Sequence, residues 1–310
     1  MTEFGFIDQI KELCNALPTN GYEGIGDDCA VVPIGESESL LFTQDMLVER
    51  VHFLREATSP YDLGHKSLAV NLSDIAAMGA KPTATLLSLA IPEEFMGAWI
   101  EEFMRGYRDL SFKHGVALIG GDTTRSKGDF TINITAIGRA NNSNIKRRSS
   151  AQVGDIIAVT GPLGGSGEGL ADILRGEFET PFAKLHKIPT PRVDEGQWLG
   201  RLNAIHSMMD ISDGVASDLR HILKASGVGA QVELTMIPTV GSLHNALSSG
   251  EDYELLFSCS VDNFEQIRQS YQEQFNTPLY PIGKIVAGET IEWLRNGEAQ
   301  GDNFTGFTHY

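Results

Sequence analysis

Nowhere in the 310 residues does an apolar run approach the ~18 residues needed to cross a bilayer as a helix, so no membrane-spanning helix is expected. The opening stretch, MTEFGFIDQIKEL, lacks a basic start followed by an apolar core, so no secretory leader is expected. Cysteine is scarce. Cys14, Cys29 and Cys259 are isolated, with no Cys-x-x-Cys spacing, which argues against a zinc site or a disulfide framework and fits a reducing cytosol. Positive charge is in short supply, with 24 Lys and Arg against 41 Asp and Glu and a net charge of −17. That balance excludes a broad basic face for nucleic acid. The familiar phosphate-binding and kinase signatures are absent: no Gly-x-x-x-x-Gly-Lys-[Ser/Thr], no Gly-x-Gly-x-x-Gly after a strand, no His-Arg-Asp or Asp-Phe-Gly. There is no Gly-x-Ser-x-Gly elbow, and the eight histidines show no paired metal spacing.

What is present is an ordinary globular composition, 41% hydrophobic and 21% charged, in a chain long enough for two cores. The polar stretch NNSNIKRRSSAQVGD (141–155) marks a boundary, giving units of 1–142 and 143–310. Thr2 can cap a first helix to about Leu17, with Phe6, Ile10 and Leu13 as its apolar stripe. Strands are expected at CAVVPI, SLLFTQD, TATLLSLAI and VALIGGD, the last ending in a turn, and at FTINITAIGRA. Long helices are expected at about 61–78, after the Ser59-Pro60 cap, and at 93–114. The second half mixes strands near DIIAVTG, QVELT, YELLFSC and LYPIGKIV with helices. Without strict alternation, the class is α+β or mixed α/β.

Carboxylates recur at strand ends beside glycine or a hydroxyl residue. Asp27 and Asp28 sit in GIGDDCA, Asp45 closes LLFTQD, Asp122 closes VALIGGD, and Asp210 and Asp213 frame DISDG. Asp74 lies on the long helix, one turn after Asn71 and beside Ser73. Taken singly, each reads as a turn, a helix cap or a solvated charge. Taken as a converging set, their repulsion demands divalent cations such as Mg2+ or Ca2+. GPLGGSGEG and GGDTTR are glycine-rich enough to receive phosphate, or to make tight turns. His52 alone reads as structural, and Arg148 either as a phosphate contact or as one of the three adjacent cations of a basic linker.

In order along the chain, GIGDDCA, TQDMLVERVHF, KSLAVNLSDIAAMGAKP, LIGGDTTR, RRSSAQVGD, VTGPLGGSGEGL, MDISDG, SGEDYELLF and DNFTGFTHY resemble the thiamine-monophosphate kinase family. That family belongs to the aminoimidazole ribonucleotide synthetase and selenophosphate synthetase superfamily. The resemblance implies a two-domain architecture, with an N-terminal sheet-plus-helices dimerisation domain and a C-terminal α/β domain. It implies ATP-dependent phosphorylation of thiamine monophosphate to thiamine diphosphate, the last step in making that cofactor, by direct in-line transfer without a phosphoenzyme. It further implies several Mg2+ ions, a cytoplasmic homodimer, and no nucleic-acid or membrane partner. Carried over by motif, Asp28, Thr43, Gln44, Asp45, Asp74, Asp122, Asp210 and Asp213 correspond to the metal shell. Gly121, Asp122, Arg148 and Ser212 correspond to ATP contacts, and His52, Glu251 and Phe304 to substrate contacts. Gln44 and Arg50 depart from the small residues the family usually carries there. Among rivals, selenophosphate synthetase would want a reactive Cys in a glycine-rich loop, which Cys14 does not provide. Aminoimidazole ribonucleotide synthetase is the nearest enzyme alternative, and a non-catalytic nucleotide or metal sensor is the alternative of another class.

Overall fold

The computed structural model describes residues 3–301 and 304–307. The first half runs α1 (Glu3–Cys14), β1 (Ala30–Pro33), β2 (Glu38–Val48), α2 (Pro60–Ala77), β3 (Lys81–Ile91), α3 (Ala98–His114), β4 (Ala117–Arg125) and β5 (Thr131–Asn141). Its strands form a five-stranded sheet of order β1-β2-β5-β3-β4, antiparallel except where β3 meets β4. The second half runs β6 (Ile156–Val159), α4 (Gly165–Leu174), α5 (Pro181–Lys187), α6 (Val193–Gly200), β7 (Ile205–Asp210), α7 (Val215–Ser226) and β8 (Gly229–Glu233). It continues with α8 (Leu243–Ser248), β9 (Leu255–Cys259), α9 (Phe264–Phe275), β10 (Tyr280–Val286), β11 (Ile291–Arg295) and β12 (Glu298–Ala299). Those strands form a seven-stranded sheet of order β12-β11-β8-β10-β6-β9-β7, with β8 and β11 parallel. The fold is mixed α/β.

Helix α2 organises the molecule. Ser59 starts it by accepting the Asp62 N–H on its hydroxyl at 3.1 Å, and Pro60 supplies a ready-made first-turn φ. From Leu63 to Ala77 nearly every residue is buried, because α2 touches β2 and β5 of one sheet and β7 of the other. A helix with two sheets around it has no solvated stripe. Gly64 and Gly106 let α2 and α3 cross in backbone contact: a Cβ at either would stand 1.9 Å from a carbonyl oxygen of the other helix, that of Phe103 or Tyr61.

Several sequence expectations shift. The first helix ends at Cys14, and its stripe does not reach a core: Phe6 is 51% and Leu13 75% exposed. Its proposed cap, Thr2, lies outside the described residues, as do 302, 303 and 308–310 of the tail. The helix expected over 93–114 breaks at Gly97, whose φ of 87° splits a short turn at Glu93–Phe95 from α3. GGDTTR is not a loop. Strand β4 continues through it to Arg125, and Gly121 is required there because a Cβ would meet the Leu87 carbonyl oxygen at 1.7 Å.

One face of the first sheet packs on helices. The other face carries Met46 and Leu86, 53% and 37% exposed, and every residue of edge strand β4 is exposed.

Candidate active site

Strand alternation sets the first part of the site. On β2, Leu41, Thr43, Asp45 and Leu47 share the face toward α2, and Gln44 and Met46 point the other way. The Thr43 hydroxyl donates to Asp74 on α2, and the Asp45 N–H donates to the Asn71 side-chain oxygen at 3.2 Å. One residue before Asp74, Ser73 reaches across to the second sheet and donates to Asp210, at the end of β7, at 2.5 Å. Carboxylate oxygens of Asp28, Asp74 and Asp210 lie within 4.8 Å of one another.

The adjacent pair in GIGDDCA divides its labour. Asp27 accepts the N–H groups of Asp28 at 3.2 Å and of Arg148 at 3.3 Å, tying the linker backbone to the turn. Asp28 takes the Arg148 guanidinium on Oδ1 at 2.5 Å and keeps Oδ2 buried without a hydrogen-bond partner among the described residues. Arg148 is therefore more than a solvated linker cation. The bond from Ser226 Oγ to its carbonyl oxygen, 2.8 Å, holds it against α7.

Burial and mutual repulsion hold these acids well above the usual carboxylate range. Burial, then the Asp28 charge, raises Asp27 and Asp210 to about 7. Burial raises Asp45 to about 6. Asp74 is raised further, by burial and then by Asp45, Asp210 and Asp28. A set of buried carboxylates with an orphaned oxygen and one arginine is short of positive charge. An all-oxygen donor set with hydroxyl neighbours suits a hard cation such as Mg2+.

Next to the acids opens a cleft of about 360 Å3. Asp45, His52, Ser212, Asp213 and Glu251 line it, with Leu54, Val70, Leu170, Ile173 and Leu174 as apolar walls. The segment 250–253 folds tightly to bring Glu251 here. Gly250, Glu251 and Tyr253 all have left-handed φ, of 68°, 56° and 52°, and the Glu251 N–H donates to the Ser212 carbonyl oxygen at 2.8 Å. Asp252 turns away and accepts the N–H groups of Gly164 and Ser166 at 2.6 and 3.1 Å. That carboxylate caps α4, so two donors of the glycine-rich turn GPLGGSGEG, the Gly164 and Ser166 N–H groups, are taken by protein rather than offered to phosphate.

The structure brings Asp28, Thr43, Asp45, Asp74 and Asp210 to one place, with Arg148 at its edge. Ser212 and Asp213 sit in the adjoining cleft with His52 and Glu251. The Gln44 side chain is on the opposite face of β2, where it accepts the Thr135 hydroxyl at 2.8 Å, so only its backbone faces the question of metal binding. Arg50 has φ 66°, which explains why a small residue suits that turn, and its guanidinium pairs with Asp129. Gly121 and Asp122 lie three strands from Asp45 across the sheet register, roughly 14 Å at ordinary strand spacing. Phe304 packs edge-on to Trp293 at 5.3 Å, and Phe307 lines the cleft instead.

Sequence reasoning missed Lys66 and His186. Lys66 is buried on α2 and donates to Glu251 at 2.9 Å. A lysine in the apolar phase of a helix, between Leu63 and Val70, was the available signal. His186, on the short α5, offered none.

Comparison with known proteins agrees with this architecture. Residues 26–140 match the family model for the AIR synthase related protein N-terminal domain, and residues 152–293 match the C-terminal one. The chain is 39% identical to the thiamine-monophosphate kinase of Haemophilus influenzae, over 100% of this chain and 98% of that protein. A solved structure described as AaThiL complexed with AMPPCP and TMP superposes with a TM-score of 0.84 at 29% identity, covering 100% and 97% of the two chains. The thiamine-monophosphate kinase of Stenotrophomonas maltophilia K279a gives 0.77 at 37% identity, covering 96% and 98%.

Proposed function

This chain belongs to the thiamine-monophosphate kinase family, and from that premise we propose that it transfers the γ-phosphoryl group of ATP to thiamine monophosphate, releasing ADP and thiamine diphosphate. The observation that carries the assignment is the junction of two unlike sites: a cation-hungry carboxylate cluster opening beside a cleft that combines apolar walls with polar side chains. An acceptor that is organic at one end and phosphate at the other would span both.

Asp28, Asp45, Asp74 and Asp210, with the Thr43 hydroxyl, would hold Mg2+ ions, and Asp213 a further one beside Ser212. When bound, such ions neutralise phosphate charge and polarise the transferring group. The acceptor is a phosphate oxygen, already ionised near neutral pH, so no strong general base is needed. Attack on the γ-phosphorus with ADP leaving in line asks the protein for alignment. Arg148 supplies a fixed cation at the phosphate end, oriented by Asp28. His52, Glu251 and the apolar walls hold the organic end.

Within one chain Gly121 and Asp122 stand apart from this cluster. Their role as ATP and metal contacts belongs to a homodimer, in which the open face of the first sheet and the exposed strand β4 meet a second copy. Leu118 and Ile119 on that edge are 44% and 60% exposed, and long apolar edges are rarely left bare. A division at 142/143 would leave the dimerising surface on the first unit, with the cleft lined from both units. The free cysteines fit a cytosolic enzyme.

The test is an assay of purified protein with ATP, Mg2+ and thiamine monophosphate that separates the thiamine phosphates, run beside Asp45→Asn and beside thiamine as acceptor. Thiamine diphosphate formed only with Mg2+, and lost in the variant, is the expected result. A folded protein that binds ATP but makes no product refutes the assignment.

A further inference from the structure

Four polar side chains from four segments meet at the inner wall of the cleft. Lys66 Nζ donates to Glu251 Oε2 at 2.9 Å and stands 3.3 Å from His186 Nε2. His186 Nδ1 is 2.9 Å from Ser166 Oγ and 3.2 Å from Glu251 Oε2. An ammonium group only donates, so Nε2 must accept, and the ring proton is forced onto Nδ1. His186 stays neutral, since burial and then the Lys66 charge push it down to about 4. Nδ1–H therefore donates to Ser166 Oγ, and the serine's own proton is left to point elsewhere. Ser166 lines the cleft beside Glu251, whose side chain is a quarter exposed and carries a second oxygen not engaged by Lys66.

We infer that Ser166 and Glu251 form a donor–acceptor pair, set by Lys66 through the His186 tautomer, that reads the edge of a flat aminopyrimidine-type ring by donating to a ring nitrogen and accepting from its amino group. The inference rests on the kinase reading above and names how the same cleft chooses its organic group. The physical reason is polarity. A hydroxyl can present either a hydrogen or a lone pair, so alone it would accept an amino or an oxo ring equally. Lys66 removes that ambiguity from a distance. It is nearly inaccessible, with a side chain 2% exposed, and acts as a positioning residue. It also ties α2 of the first half to 251 and 186 of the second, so the edge reader is assembled only when both halves are in place. The walls agree: Leu54, Val70, Leu170, Ile173 and Leu174 offer flat apolar contact to the ring faces.

The 4-oxo analogue of thiamine monophosphate tests this, because it exchanges the amino donor for an acceptor and the ring acceptor for an N–H. Wild-type protein should favour the amino substrate in kcat/KM by about a hundredfold or more, since a mismatched pair leaves two polar groups unpaired. Ser166→Ala should cut that preference roughly tenfold. Lys66→Met should cut it similarly, because the ring proton can then move to Nε2 and the serine can turn inward. Calorimetric binding of both compounds without ATP separates the two proposals. Discriminating binding without turnover overturns the kinase reading and keeps the pair. Turnover of both compounds at equal efficiency, or an unchanged preference in folded Ser166→Ala, overturns the pair and keeps the kinase.

Discussion

Arg148 Nη2 meets Asp28 Oδ1 at 2.5 Å, in a pair whose side chains are 20% and 2% exposed. This bond joins the linker between the two halves to the first acid of the cluster. Removing one member of a buried pair strands the other, at a cost of about 3–5 kcal/mol. Arg148→Met should therefore lower stability by several kcal/mol in denaturant unfolding and raise the KM for ATP. Arg148→Lys keeps charge without the fork, so it should recover much of the stability and little of the ATP affinity. Equal effects of both substitutions on the KM would show that the guanidinium geometry does not matter.

The cluster stores repulsion that a bound cation would relieve. Asp74→Asn keeps the shape and removes one of the mutually repelling charges. At alkaline pH, where the raised Asp74 carboxyl is ionised, we expect the metal-free variant to melt higher than the metal-free wild type, by roughly 2–4 °C for each kcal/mol relieved. Its activity should fall by at least about a hundredfold, and Mg2+ should no longer raise its melting temperature much. A lower metal-free melting temperature would mean that Asp74 is stabilising in its own right.

Proton linkage gives a signed prediction. Asp27 and Asp210 titrate at about 7 and Asp45 at about 6 in the folded chain, against about 3.9 unfolded. Between those limits the folded state binds more protons, so stability falls as pH rises. The contribution is fully present below about pH 4 and is lost by the time the pH passes 7. Metal-free protein should thus melt progressively lower from pH 5 to 7.5, and saturating Mg2+ should flatten that slope and release protons on binding. Calorimetry in buffers of different ionisation enthalpy reads the released protons directly, and a rising metal-free slope contradicts the carboxylate account.

Gly250 is held at φ 68°, and a Cβ there would stand 2.1 Å from the Ser212 carbonyl oxygen. Gly250→Ala must push apart the two turns that carry Ser212–Asp213 and Glu251. The KM for thiamine monophosphate should rise by ten to a hundredfold, with far-ultraviolet circular dichroism unchanged. A normal KM would show that Glu251 is not needed at its present position.

The dimer proposal is open to a direct check. Ile119→Lys places a charge on the exposed apolar edge, where a monomer would tolerate it easily. Sedimentation velocity should show monomers, and activity should drop because Gly121 and Asp122 no longer reach a partner's cluster. A variant that stays active and monomeric removes the second copy from the mechanism.

Much of the fold was legible locally. Ser59-Pro60 marked the start of α2, and the alternation of FTINITAIGRA marked β5, since caps and period-two patterns act over a few residues. GGDTTR was not legible as a strand. Glycine signals a turn unless a neighbouring strand, here the Leu87 carbonyl, demands close approach. The apolar stripe of α1 promised a core that one chain does not provide.

The sequence by itself determined which chemistries were out of reach and that strand-end acids were the residues to watch, because residue type and spacing carry that information. Only the tertiary structure decided which acids converge. Asp28, Asp74 and Asp210 come from a turn, a helix and a strand far apart in the chain, and α2, buried between two sheets, is what brings them within reach. The same burial decided that Lys66 would neutralise Glu251 and orient His186, a relation of side chains 120 and 185 positions apart that no local pattern encodes.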